Sequence, residues 1–130
     1  MKVSFLERDA GGLRMRDHRF FRVIAVLTIL LWLFEILFPT WRILPLIYGQ
    51  STVPLHYNVH LGVDSIGEWW KIYLTPAIGL LFIAVNLIVA RMTWKKEPML
   101  AYLAAASTLL MHIILCIAVL CIVLLNISYV

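Results

Sequence analysis

Residues 20–38 read FFRVIAVLTILLWLFEILF, an apolar run broken only by Arg22 at one end and Glu35 near the other. A helix crosses the roughly 30 Å of bilayer hydrocarbon in about 20 residues. The run therefore predicts a first transmembrane helix over 20–38, ended by Pro39, which cannot extend a helical hydrogen-bond ladder. Arg14, Arg16, Arg19 and Arg22 precede or open it, as basic residues precede a secretory signal. The stretch is too long for a signal core, carries Glu35 and has no small-x-small cleavage site before Pro39, so it reads as a retained anchor.

Two further stretches qualify, 72–90 and 99–127, and Pro98 suits the first turn of the last helix, where a missing N–H is not needed. Hydrophobic residues make up 63% of the 130 positions and charged ones 14%, with a mean hydropathy of +0.94. Ordinary soluble domains have about 45–50% and about 25%, so a soluble fold could not cover itself with polar surface. The reading is one domain: an all-α membrane protein, three transmembrane helices with one structured extracytoplasmic loop.

Lys and Arg set orientation. Lys2, Arg8, Arg14, Arg16 and Arg19 lie in a basic tail, 1–19, and Arg22 just beyond it; Arg91, Lys95 and Lys96 lie in the short loop 91–98. The long loop, 39–71, holds only Arg42 and Lys71. The bias places the N-terminus and the short loop in the cytoplasm, and the long loop and residues 128–130 outside. The net charge of +4 is thus a topology signal, and no nucleic-acid partner is expected. Trp41, Trp69, Trp70, Tyr73 and Tyr129 would mark the outer interface, and Phe20, Phe21, Trp94 and Tyr102 the inner one, because amphipathic rings favour headgroup depth.

Membrane helices associate through small residues and interhelical hydrogen bonds. Thr75, Gly79, Phe82, Asn86 and Ala90 share one face of the second span. Ala101, Ala105, Thr108, His112, Cys116 and Val119 share one face of the third, and Thr28 and Glu35 one face of the first. A three-helix bundle, or three helices docked on a partner, follows. Cys116 and Cys121 are five apart, face different ways and read as packing residues. Two residues within the spans ionise, at a depth where charge is costly. Glu35 is expected about one turn from the outer end, either neutral or paired with Arg42, Lys71 or a loop histidine. His112 is expected near mid-membrane, bonded across the bundle to Thr28; a proton site or ligand contact is the functional alternative for both.

The long loop concentrates the remaining polar chemistry. Pro45 and Pro54 bias their neighbours to extended backbone, Tyr48–Thr52 reads as a turn, and Gly62 and Gly67 read as positions of positive φ. Asp64 or Ser65 could cap a short helix leading into the second span. His56, His60, Asp64 and Glu68 recur every four residues, one face of a continuous helix; His56, His60 and Asp64 are then candidate metal ligands. The glycines interrupt such a helix, and the competing reading is a hydrogen-bonded cap over the bundle with no metal.

Val53-Pro54-x-His56-Tyr57-Asn58, followed by a glycine and Asp64, resembles the hallmark of a bacterial membrane domain of unknown function found at the front of SdpI-type immunity proteins. That pattern is a Pro, one residue, His, an aromatic, Asn, a Gly a few residues on, then Asp, an aromatic and a Lys. Pro54, His56, Tyr57, Asn58 and Asp64 match by position. Gly62 is one residue late, Ile66 stands where an aromatic is usual, and Lys71 is two late. The resemblance covers about residues 20–95, the third span being similar only in hydrophobicity. It implies a bacterial cytoplasmic membrane protein with the motif outside, and no known reaction.

No Gly-rich phosphate loop, nucleophile elbow or cofactor motif is present, so neither an enzyme nor a cofactor is expected. The sequence points to a small accessory or scaffold subunit contacting the lipid bilayer and either another membrane protein or a second copy of itself. Immunity or extracellular peptide sensing is one alternative, and metal or proton handling another. The binding candidates are Pro54, His56, Tyr57, Asn58, His60, Gly62, Asp64, Glu68 and Lys71; the intramembrane polar candidates are Glu35, Asn86 and His112.

Overall fold

Pro39 does not end the first helix. The computed structural model describes residues 3–47 and 52–128, with side chains from residue 19 onward, and in it α1 runs Val3–Ile43 straight through the proline. A 3₁₀ turn, Leu44–Ile47, follows. The ring at Pro39 removes the bond to the carbonyl of Glu35, four residues back. On the next rung the Thr40 hydroxyl donates to the Ile36 carbonyl at 2.6 Å. Side-chain hydroxyls and helix neighbours make a proline tolerable in a membrane helix. The apolar stretch therefore extends over Arg19–Ile47, well past the end expected at Phe38.

The other two crossings are Trp69–Thr93, in which a 3₁₀ turn (Trp69–Tyr73) leads into α2 (Leu74–Thr93), and α3 (Pro98–Ser128). All three are long and apolar enough to cross a membrane, and the chain is a multi-pass helical membrane protein. Pro76 is tolerated in the first turn of α2 because those N–H groups have no intrahelical partner. Residues 94–97 make a tight helix–helix turn: the Trp94 amide donates to the Ala90 carbonyl at 3.0 Å and the Glu97 amide to the Thr93 carbonyl at 2.8 Å. Pro98 opens α3, as expected.

α3 is the central helix. Both α1 and α2 pack along it, and they touch each other far less. The reason is its stripe of small and polar residues: Ala101, Ala104, Thr108, His112 and Cys116 are buried, while Leu103, Leu110, Ile113 and Ile117 on the other faces are exposed. Ala104, rather than Ala105, is the buried alanine on this turn. At the turn end of the bundle Phe20, Phe21, Trp94 and Tyr102 form one aromatic cluster with ring centroids 5.0–5.4 Å apart at the closest pairs. At the other end Ile43, Val53, Ile72, Val119 and Val123 close an apolar layer, packed by Phe38, Ile47, Leu55 and Ile122.

Over that layer sits an antiparallel hairpin, β1 (Thr52–Asn58) with β2 (Gly62–Glu68). Its existence corrects two readings. His56, His60, Asp64 and Glu68 lie on no common helical face, and Asp64 and Ser65 are strand residues that cap no helix; the 3₁₀ turn begins at Trp69. Gly62 takes φ 78°, which fits the tight turn, and Asn58 accepts the His60 amide on its side-chain oxygen at 2.9 Å. An Asn bonding a backbone N–H two residues on is a turn device that competes with helix. Gly67 has no positive φ; it is needed because a Cβ there would lie 2.5 Å from Leu55 Cδ1. The register slips on either side of His56. The expected turn at 48–51 and the interfacial place of Tyr129 lie outside the described residues.

The hairpin is fastened to α3 by Asn126, whose amide donates to the Pro54 carbonyl at 2.8 Å and to the Ile122 carbonyl at 2.8 Å. Val53 adds an apolar anchor, 4% exposed. Asn126→Ala is expected to cost about 1–2 kcal/mol, the value of a buried hydrogen bond plus the orphaned carbonyl. Amide hydrogen exchange would read this as faster exchange confined to β1 and β2.

Candidate functional site

Two groups of polar residues are built by this fold, one on the hairpin and one inside the bundle. On the hairpin, the bend near His56 and the strand pairing bring His56 Nδ1 to 2.7 Å from Asp64 Oδ1. Both are solvent-accessible, His56 more so. Asn58 and Gly62 are paired at the closing end of the strands, and His60 sits in the turn. At the foot, the Trp70 indole donates to Glu68, and the exposed Lys71 lies beside Gly67. Pro54 contributes its carbonyl to Asn126, and Tyr57 is half-exposed. The motif residues are thus gathered on one small sheet, with only His56 and Asp64 in side-chain contact. Among the described residues no three His, Cys, Asp or Glu side chains are placed to hold a metal ion.

The second group is in the interior. Glu35 Oε1 lies 2.9 Å from His112 Nδ1, and both side chains are fully buried. The expected partners are not the ones used. Glu35 meets no Arg42, Lys71 or loop histidine, and His112 does not reach Thr28. The physical reason is depth. Once α1 continues through Pro39, Glu35 lies 16 residues past Arg19 and 12 before Ile47. His112 lies 14 residues past Pro98 and 16 before Ser128. An odd number of crossings makes α1 and α3 run the same way, so both residues fall at the middle of the bundle.

Gly79 of α2 completes this layer. A Cβ there would lie 2.7 Å from His112 Cε1 and 3.1 Å from Glu35 Oε2. Only a glycine lets α2 close over the pair. The Cys116 thiol, one turn along α3, donates toward the Leu31 carbonyl and Glu35 Oε1, each at 3.6 Å. Among the described residues three buried side-chain polar atoms have no protein partner: Glu35 Oε2, His112 Nε2 and Thr28 Oγ1. Most buried polar atoms are hydrogen-bonded, so such orphans mark this layer and the Thr28 layer below it.

The remaining interhelical bonds frame the site. Asn86 donates to Thr108 at 2.9 Å and to Ser107 at 3.2 Å, tying α2 to α3 as its place on the small-residue face suggests. The Trp32 indole donates to the Pro76 carbonyl at 3.0 Å, and the Thr40 and Tyr73 hydroxyls are 2.9 Å apart, tying α1 to α2. Trp32, Thr40 and Asn126 escaped the sequence reading. A Trp, Thr or Asn facing a helix partner looks in sequence like one facing lipid or headgroups, and only the helix rotation separates them.

Comparison with protein-family models, curated proteins and solved structures finds no match to this chain.

Proposed function

We propose that the chain is a non-enzymatic accessory subunit of a bacterial cytoplasmic membrane, with its N-terminus inside and its hairpin outside, that binds a second membrane protein through the hairpin. The observation that carries this reading is the contrast between a fastened base and an uncovered tip. Val53 is buried and Pro54 is tied to Asn126, whereas Val59 and Leu61 in the turn are 83 and 77% exposed. These apolar side chains alternate with Asn58 and His60, a mixture suited to a protein surface more than to hydrocarbon. Behind the hairpin a groove of about 830 Å³ runs between Leu55–Tyr57 and the last turns of α3, walled by Ile122 and Leu125. Exposed apolar surface rimmed by polar groups is a common mark of an interaction site.

Chemical cross-linking and affinity purification from the source membrane test the reading. A single membrane protein at fixed stoichiometry is expected, and Val59→Asp with Leu61→Asp should release it. A second copy of the chain in that place would turn the proposal into self-association, and a partner-free monomer would remove it. The solvent-facing His56–Asp64 pair makes a distinct prediction. Exposed ion pairs contribute about 0–1 kcal/mol, so His56→Ala should leave thermal stability nearly unchanged while weakening capture of the partner.

A second reading is favoured by the motif. Its His and Asp, eight residues apart in sequence, meet at 2.7 Å on the hairpin, as residues of one recognition site would. Together with the resemblance to the front domain of SdpI-type proteins, this supports binding of an extracellular peptide or toxin. Unchanged toxin sensitivity of cells lacking the protein would dismiss it.

A further inference from the structure

We propose that Glu35 and His112 form an intramembrane proton-binding site, reached from the end of the bundle that carries the Trp94–Glu97 turn. The inference is independent of partner binding by the hairpin.

Proton counting identifies the exchanging position. With a single proton on His112 Nδ1, facing Glu35 Oε1, the pair carries one net negative charge. A second proton makes it neutral, as imidazolium against carboxylate or as imidazole against carboxylic acid. In the neutral forms one proton lies on the line from Nδ1 to Oε1 and the other on His112 Nε2 or Glu35 Oε2. The proton that comes and goes is therefore the one at Nε2 or Oε2, the two atoms of the pair without a protein partner. Net charge in hydrocarbon is costly, so exchange of that proton requires water to reach one of these two atoms. Few other groups bear on this balance. Cys116 of α3 faces Glu35 with its thiol, α2 contributes only Gly79, and Arg42 and Lys71 are exposed near the hairpin end.

The route we infer runs from the turn end. A cleft of about 320 Å³ lies between α1 and α2, floored by α3 and bordered at the turn end by Phe21 and Ala90. Its lining is apolar but for Thr28, Asn86 and Thr108, neither Glu35 nor His112 borders it, and Thr28 Oγ1 is itself an orphan. Thr108 precedes His112 by one helical turn on the same face. On the opposite side of the pair, the layer of Ile43, Ile72, Val119 and Val123 is apolar throughout. The polar side chains on that side include the Cys116 thiol, turned toward Glu35, and the Thr40 and Tyr73 hydroxyls, already bonded to each other.

The test uses the intact protein in vesicles sorted for one orientation, with ¹⁵N-labelled histidine. Acidifying or alkalinising the compartment at the turn end is expected to shift the His112 ring resonances, while the same change on the hairpin side leaves them still. Dicyclohexylcarbodiimide, an apolar reagent for protonated carboxyl groups, should label Glu35 in step with that shift and lose its target in Glu35→Gln. Thr28→Leu, which fills the cleft without touching the pair, should slow the response from the turn end. Resonances indifferent to pH from both sides would reduce the pair to a structural bond. A response from the hairpin side, or an unchanged rate in Thr28→Leu, would overturn the assigned route.

Discussion

Replacing His112 by Ala is expected to destabilise the protein by about 3–5 kcal/mol, the cost of leaving one member of a buried ionisable pair without its partner. Glu35 would lose its one strong partner at the middle of the bundle. Its only remaining side-chain neighbour within bonding range is the Cys116 thiol at 3.6 Å, a weak donor. Reversible unfolding in lipid or mild detergent would measure the loss. The companion experiment replaces both residues. Glu35→Leu with His112→Leu removes the polar groups together, and such exchanges are often neutral or stabilising by about 1–4 kcal/mol. A double variant as stable as the parent would mean that stability is not what the pair supplies. If the double variant is as weak as His112→Ala, packing of this layer depends on the pair's shape.

Gly79→Ala carries the second large effect. The new methyl would sit 2.7 Å from His112 Cε1 and 3.1 Å from both Glu35 Oε2 and Leu115 Cδ1. The first distance cannot be relieved by a flexible tip, because the imidazole is held by its bond to Glu35 and is fully buried. Overpacking of this kind costs about 1–3 kcal/mol. Either α2 moves away from α3 or the pair parts. His112→Ala should cost much less in the Gly79→Ala background than alone, because it removes the clash and residues in contact show non-additive effects. If the pair parts, the histidine ring resonances should report loss of the Glu35 bond. If α2 shifts instead, that bond should persist and the Asn86–Thr108 bond farther along the same helix should weaken.

The three crossings were legible because apolar length is a local property of the chain. The faces of α2 and α3 were legible too, since small and polar residues at helical spacing report contact in a medium without hydrophobic driving force. Asn86 meeting Thr108 and the packing of Gly79 against α3 follow from those faces. Partner choice was less legible, and Pro39 is the reason. Reading it as a terminus shortened α1 and lifted Glu35 toward the interface, so that loop cations and histidines seemed within reach. Had the helix been carried on to Ile43, equal depth on two helices of like direction would have matched Glu35 with His112. The hairpin was obscured by a coincidence of spacing. Histidine and acid at every fourth residue imitate a helical face, while Gly62, with its positive φ, and the backbone bond made by Asn58 fix a reversal. Its fastening through Asn126 was invisible, since an Asn near a helix end is equally at home in headgroups.

α3 sets the hairpin's height. One unbroken helix bears His112 at mid-membrane and Asn126 at the hairpin, fourteen residues apart. At 1.5 Å per residue that is a spacer of roughly 21 Å. One residue inserted between them would lift the anchoring amide by about 1.5 Å and swing it by about 100°, turning it off the Pro54 carbonyl. The distance from the middle of the bundle to the hairpin is thus written into the length of a single rod, as a ruler is, and evolution could retune it only in whole helical turns.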